Sequence, residues 1–332
     1  FLDSSHNKAE NTGKKQGKQG CCHSQVQSHH HKKLQIAMTK LYPGNLVLSL
    51  SSGIMYHRLV DRITALNDVP REPLVPRRLG KNMCVPFGKI LRGKVVPNTV
   101  TKTLHTDKVY EPDLESYTIE PFPYYSPLNS QIEMIRSFDR PVILVDDLVH
   151  KADRLRVLVP KLRETGIPIK KVVVGVLSGY GRDLMQQLKV PVESIYSMPN
   201  VRQWFVESTL YPFIGGDTVR REEMKVAGLQ PSINMILPYA TPRLSGCSRE
   251  ALVEFSACCI ENSRDLLQVL EAEYRKQYAK NLTLSRLSEA VILPLCPDKG
   301  SCMEYDENLA ASVYLENDLE TLWRMKEFMI KG

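Results

Sequence analysis

The 332-residue chain is short of several things, and each shortage excludes a class of protein. No uninterrupted apolar run reaches the roughly 18 residues needed to cross a bilayer, so no membrane partner or span is expected. There is no C-x-x-C pair among the eight cysteines, and four of the eight sit in the doublets Cys21-Cys22 and Cys258-Cys259. That spacing fits neither a zinc ribbon nor a disulfide framework, and it reads as reduced thiols in the cytoplasm. The chain opens on Phe1 with no charged-then-apolar leader, the pattern of a piece of a longer polypeptide. It also lacks a strong charge bias. Of the net +7, residues 1–33 carry +4, from six lysines against Asp3 and Glu10, which leaves +3 for the other 299. A body so close to balance argues against nucleic acid as a partner and suits a pocket for a small anion. The glycine fingerprints of dinucleotide and P-loop sites are missing too; Ile214-Gly215-Gly216-Asp217-Thr218 reads as an ordinary turn.

What is present falls into three segments. Residues 1–33 are rich in Lys, Gln, Ser, Gly and His and have little to bury, so they are expected to form a flexible tail. Residues 34–232 alternate helical and extended patterns and are expected to form an α/β domain with a mostly parallel twisted sheet. Residues 233–332 carry long amphipathic stretches and are expected to form a helical C-terminal subdomain.

Within the middle segment, Leu46–Leu50 reads as a short strand that turns at Ser51-Ser52-Gly53 into a helix. Met83-Cys84-Val85-Pro86 reads as a second strand, and residues 95–110 alternate like a half-exposed hairpin arm. Residues 111–128, rich in Pro and Tyr, read as irregular. The strongest strand is Val142-Ile143-Leu144-Val145, entered from Pro141 and leaving into Asp146-Asp147. A helix over about 153–164 and a second apolar strand at 171–177 follow, which predicts a parallel pair with a right-handed helical crossover.

Two acids at the carboxyl end of such a strand cannot serve packing, because an unpaired buried carboxylate is costly. They suit sugar hydroxyls or Mg²⁺, and the loop that follows leads into a helix N-terminus, which favours phosphate. The run Val142-Ile143-Leu144-Val145-Asp146-Asp147-Leu148-Val149-His150-Lys151-Ala152-Asp153-Arg154 resembles the signature of the type I phosphoribosyltransferases. The resemblance implies a sheet with a β hood. It also implies Asp146 and Asp147 beside the ribose hydroxyls and Mg²⁺, and His150, Lys151, Ala152, Asp153 and Arg154 around a 5′-phosphate. By the same resemblance Ser51, Ser52 and Gly53 would bind pyrophosphate and Lys102 would be the catalytic basic residue of the hood. Trp204 and Phe205 would lie against a base, although core packing explains them as well.

The Thr-Gly pair usual in that family is replaced here by Lys151-Ala152, and its closing Thr by Arg154. Two functions follow. One is Mg²⁺-dependent transfer of phosphoribosyl between its pyrophosphate and a nitrogen base. The other is a non-catalytic domain that senses a phosphoribosyl ligand or nucleotide within a larger protein. A homodimer and a fused or partner enzyme domain are compatible with either.

Overall fold

The computed structural model describes residues 19–331 except 77, 222–225, 227, 243–245, 292–293 and 300–303, with side chains from 29 to 328. In chain order the elements are α1 (Gln19–Leu41), α2 (Ser52–Leu66), β1 (Met83–Pro86), β2 (Val100–Thr101), β3 (Thr106–Tyr110), β4 (Tyr117–Pro121) and α3 (Leu128–Arg136). There follow β5 (Val142–Val149), α4 (Asp153–Glu164), β6 (Ile169–Ser178), α5 (Gly179–Gln187), β7 (Val192–Met198) and β8 (Asp217–Val219). The last are β9 (Gln230–Ile233), α6 (Arg249–Tyr278), α7 (Leu287–Ala290), β10 (Leu295–Pro297) and α8 (Ala311–Lys331). Among the described residues no helix is long and apolar enough to cross a membrane.

Two compact units interleave along the chain: an α/β unit of Ser49–Glu207 with Asp217–Met224, and a second unit built from the remainder. The expected boundaries at 33/34 and 232/233 both fall inside the second unit. There, α1 and α8 pack on α6, and β9 pairs in parallel with β10. Helix α1 runs back into the segment expected to be a tail, since His30 and Leu34 are buried and His30 Nε2 lies 3.3 Å from Asp265 Oδ2. Composition alone could not show that a partner helix covers this face. Residues 1–18 lie outside the described residues.

The α/β unit holds a five-stranded sheet in the order β2-β1-β5-β6-β7, parallel throughout. Alternation in β1 and β5 sends side chains to both faces. Met83, Val85, Val142 and Leu144 meet α3 and α4, through residues such as Ile132, Leu155, Leu158 and Leu162. Cys84, Ile143 and Val145 meet Met55, Leu59 and Ile63 of α2. Every one of these residues is buried, at about 1.5–3 kcal/mol for each large aliphatic side chain. The β5–α4–β6 crossover matches the expected parallel pair, with Gly166 at φ +74° closing the helix.

Two local expectations fail. Residues 46–50 form no strand, and Leu46 and Leu48 are 83% and 56% exposed. A strand needs a ladder partner, and β propensity in an isolated apolar run does not supply one. Nor do residues 95–110 form one hairpin arm. Val100 and Thr101 extend the parallel sheet beside β1, and only Thr106–Tyr110 form a hairpin strand. The partner strand is Tyr117–Pro121, from the stretch read as irregular. β8 adds in parallel to the other side of β3, making a small mixed sheet.

Helix α2 lies so close to the sheet that position 175 must be glycine. A Cβ there would collide with Met55 Sδ and stand 2.7 Å from the Asp147 carbonyl oxygen. Gly175→Ala is expected to lower the unfolding free energy by roughly 1–3 kcal/mol, the usual cost of overpacking. Urea denaturation of the two proteins measures it, and equal midpoints would show that α2 is not seated this closely.

Candidate functional site

Chain order and sheet order part company between β1 and β5. From β1 the chain moves outward to β2, and from β5 it moves the other way to β6. Parallel sheets of this kind leave a crevice at the carboxyl ends of the two strands where the direction switches. In this protein the rim of that crevice is Phe87–Leu91 after β1 and Asp146-Asp147 within β5.

The two acids have different tasks. Asp147 pins the neighbouring loop: Oδ2 accepts the Lys89 backbone N–H and Oδ1 accepts that of Ile90, both at 2.9 Å. Such charge-assisted bonds are roughly twice as strong as neutral ones. Asp146 accepts the N–H of Asp147 at 2.8 Å through Oδ1. Gly88 allows this closeness, because a Cβ at that position would strike Asp146 Oδ1 and lie 2.7 Å from Asp147 Oδ1. Burial first and the adjacent Asp147 charge second raise the Asp146 carboxyl to about 7; Arg154 and Arg92 pull the other way.

A ring of charge surrounds the pair. Lys89, on the pinned loop, feels Asp217, Arg92, Asp107 and Arg154, and desolvation is the largest influence lowering its proton affinity. Lys89 still keeps a solvent-exposed surface, so that lowering is tempered by water. Being surrounded by protein yet wetted is the condition of a side chain in a cleft. Arg92 stands over the Phe122 ring with its Nη2 3.4 Å from the Thr106 carbonyl, and its buried Nε has no hydrogen-bond partner. Asp217, at the start of β8, has its proton affinity raised by burial and is opposed by Lys89 and Lys108. Asp107 on β3 receives the Thr218 hydroxyl.

On the other side of the pair, the turn from β5 to α4 places Ala152 at φ +52°, ψ +34° with no side-chain cap. This is the left-handed conformation that glycine adopts freely and alanine does not. His150, Lys151, Asp153, Arg156 and Tyr180 line an open cleft there. His150 Nδ1 lies 2.8 Å from Ser178 Oγ.

Of the residues singled out in the sequence, the structure groups Asp146, Asp147 and Arg154 electrostatically and sets His150, Lys151 and Asp153 around the adjoining cleft. Ser51, Ser52 and Gly53 instead begin α2, where the Ser51 hydroxyl caps Ile54 N–H at 3.4 Å, and the crevice rim is Phe87–Leu91. Cap residues and phosphate turns use the same small hydroxyl residues, so the sequence does not separate the two roles. Lys102 follows β2 and acts on His105 together with Arg92. Trp204, like Tyr196 and Met198, packs against the α2-side core, and Phe205 is half-buried beside it in sequence. Lys89, Arg92 and Asp107 carry no signal in the sequence, and Asp217 lies in the run read there as an ordinary turn. The nearest to a signal is Phe87-Gly88-Lys89, directly after a strand candidate.

No family model matches the chain, and no curated protein matches it. Solved structures do. A purine phosphoribosyltransferase from Pyrococcus horikoshii Ot3 is 14% identical over 48% of this chain and 91% of its own, at a TM-score of 0.28. Adenine phosphoribosyltransferase from Thermoanaerobacter pseudethanolicus is 9% identical over 43% and 80%, at 0.25. Hypoxanthine phosphoribosyltransferase from Trypanosoma cruzi, a point mutant complexed with its product IMP, is 16% identical over 48% and 80%, at 0.28. Scores this low leave the reading of function to the geometry of the chain itself.

Two outcomes follow from the crevice. Asp146 binds its proton more tightly in the folded protein, so from about pH 4 to 7 the folded state holds the extra proton and stability falls as pH rises. Asp146→Asn removes that dependence. Its stability gain over the parent should grow from near zero at pH 4 to on the order of 3–4 kcal/mol at pH 8, read by urea denaturation across that range. Ala152→Gly should relieve the left-handed alanine and gain roughly 0.5–1 kcal/mol, after subtracting the greater freedom of glycine in the unfolded chain. A loss of stability would place Ala152 elsewhere in φ.

Proposed function

We propose that the α/β unit binds a phosphorylated ribose ligand, either phosphoribosyl pyrophosphate or a nucleotide, in the crevice at the carboxyl ends of β1 and β5. One observation carries this. Two adjacent carboxylates sit at the topological switch point of a parallel sheet and are faced by Arg92 and Arg154, with Lys89 on the loop that Asp147 pins. The carboxylates suit vicinal hydroxyls, and the cations suit phosphate oxygens through charge-assisted bonds. The pinned backbone of Lys89 and Ile90 holds the cationic rim in place before a ligand arrives. The chain's likeness to the type I phosphoribosyltransferase signature at residues 142–154 supports the same ligand class.

Transfer of the phosphoribosyl group to or from a nitrogen base is the finer form of this proposal. The residues would hold the two phosphate-bearing ends, exclude water and align the base with the ribose carbon. Asp146 is the carboxylate that would take Mg²⁺, since both oxygens of Asp147 are committed to backbone N–H groups. Among the described residues no three His, Cys, Asp or Glu side chains converge on a metal, so the remaining ligands would be phosphate oxygens and water, as is usual for this ion. Bound there, Mg²⁺ would supply neutralisation of pyrophosphate charge. In the same proposal the β3–β4–β8 sheet serves as the hood, and the helical unit that contains α1, α6 and α8 is an addition to the α/β unit. Cytoplasmic residence, a homodimer and a fused enzyme partner belong to the proposal as well. The second reading, a non-catalytic sensor, is favoured by the Lys151-Ala152 turn, which has traded the freedom of glycine for charge.

Calorimetry with ribose 5-phosphate and phosphoribosyl pyrophosphate, with and without Mg²⁺, tests both readings. Lys89→Ala and Arg154→Ala should each weaken the pyrophosphate ligand by roughly 10- to 100-fold, the worth of one charge-assisted hydrogen bond. Absence of binding at millimolar concentration would sink both readings. Binding without turnover on the common bases would select the sensor.

A further inference from the structure

Ser178 ends β6 and caps α5, and it is completely buried. Its Oγ accepts the Gly181 N–H at 2.9 Å and lies 2.8 Å from His150 Nδ1. Gly181 is held against the Val149 carbonyl with no room for a Cβ, so the hydroxyl cannot drift with the helix end. A hydroxyl carries one proton and two acceptor positions. One acceptor position takes Gly181 N–H. If His150 donated from Nδ1, the second would be filled and the hydroxyl proton would be left buried without an acceptor, which folded proteins avoid. The alternative satisfies every group: Ser178 donates to Nδ1, and the imidazole proton resides on Nε2. Nε2 is then the ring nitrogen left for a ligand in the cleft that His150 lines with Lys151, Asp153, Arg156 and Tyr180.

We infer that Ser178 is a positioning residue that sets the His150 tautomer, keeping Nδ1 as the acceptor and presenting Nε2–H as a hydrogen-bond donor to an anion in this cleft. The inference rests on the ligand class proposed above. The cations Lys151 and Arg156 of the cleft supply charge, and His150 supplies a directed donor.

Two measurements on the whole chain test this. Long-range ¹H–¹⁵N correlation of the neutral His150 ring, without ligand at about pH 8.5, should show a bare Nδ1 and a protonated Nε2. A protonated Nδ1 in the neutral ring overturns the inference whatever binds. The second is titration with sulfate at about pH 8, which sets the parent affinity. His150→Gln, which keeps a neutral N–H donor, should remain within about threefold of it, and His150→Leu should lose about 2- to 10-fold, the worth of a neutral hydrogen bond. Ser178→Ala should give mixed ring tautomers and a weaker sulfate affinity, and Ser178→Thr should restore the parent behaviour. If Ser178→Ala shifts only the melting temperature and leaves the ring spectrum unchanged, Ser178 is a helix cap and no more. Failure of both sulfate and phosphoribosyl pyrophosphate to bind removes the parent reading and this role together. Binding with the wrong tautomer removes this role alone.

Discussion

The bond from the Asp147 carboxylate to the backbone of Lys89 and Ile90 is the constraint on which the rest of the crevice depends. A parallel sheet brings β1 and β5 side by side, but adjacency alone does not shape the loops beyond them. Both oxygens of one carboxylate, each on a backbone N–H, fix the start of the loop after β1. With the loop fixed, Gly88 lies flat over Asp146 and Asp147, and Lys89 and Arg92 are carried to the rim. Asp146 is then enclosed between its neighbour's charge and the loop, which is what raises its proton affinity.

The parts of this arrangement that were legible in the sequence are the local ones. The β5–α4–β6 crossover is written in short apolar runs and a helical repeat that bury within some forty residues, and Asp146-Asp147 stands out because carboxylates do not end apolar strands for packing reasons. The failures share a different character. Leu46–Leu50 has the composition of a strand but nothing to pair with, while Ser51-Ser52-Gly53 begins α2, with Ser51 capping it. His30 sits in a polar segment and becomes buried only because α6 supplies Asp265 and Asn262.

The larger omission was the loop after β1. Lys89 and Ile90 are 58 and 57 residues from the acid that holds them, and Asp217 enters from much further along the chain. Such residues become functional candidates only through topology, since nothing in Phe87-Gly88-Lys89 alone distinguishes a crevice rim from an ordinary strand exit. Ala152 makes the complementary point. Its left-handed backbone is imposed by the strand before it and the helix after it, so the turn keeps the shape a glycine would give without the glycine that a signature scan seeks.

The crevice also has a consequence for how a ligand would find it. Its cations Lys89, Arg92, Lys108 and Arg154 are set among Asp107, Asp146, Asp147, Asp153 and Asp217, so positive and negative charge nearly cancel within a few ångströms. Seen from beyond the roughly 8 Å screening length of physiological salt, such a cluster projects little field. An anion gains almost nothing until it is already in contact, where individual donors are resolved. Encounter should then run at the unsteered pace of diffusion, with rates nearly indifferent to ionic strength, and discrimination should appear in how slowly the fitted ligand leaves.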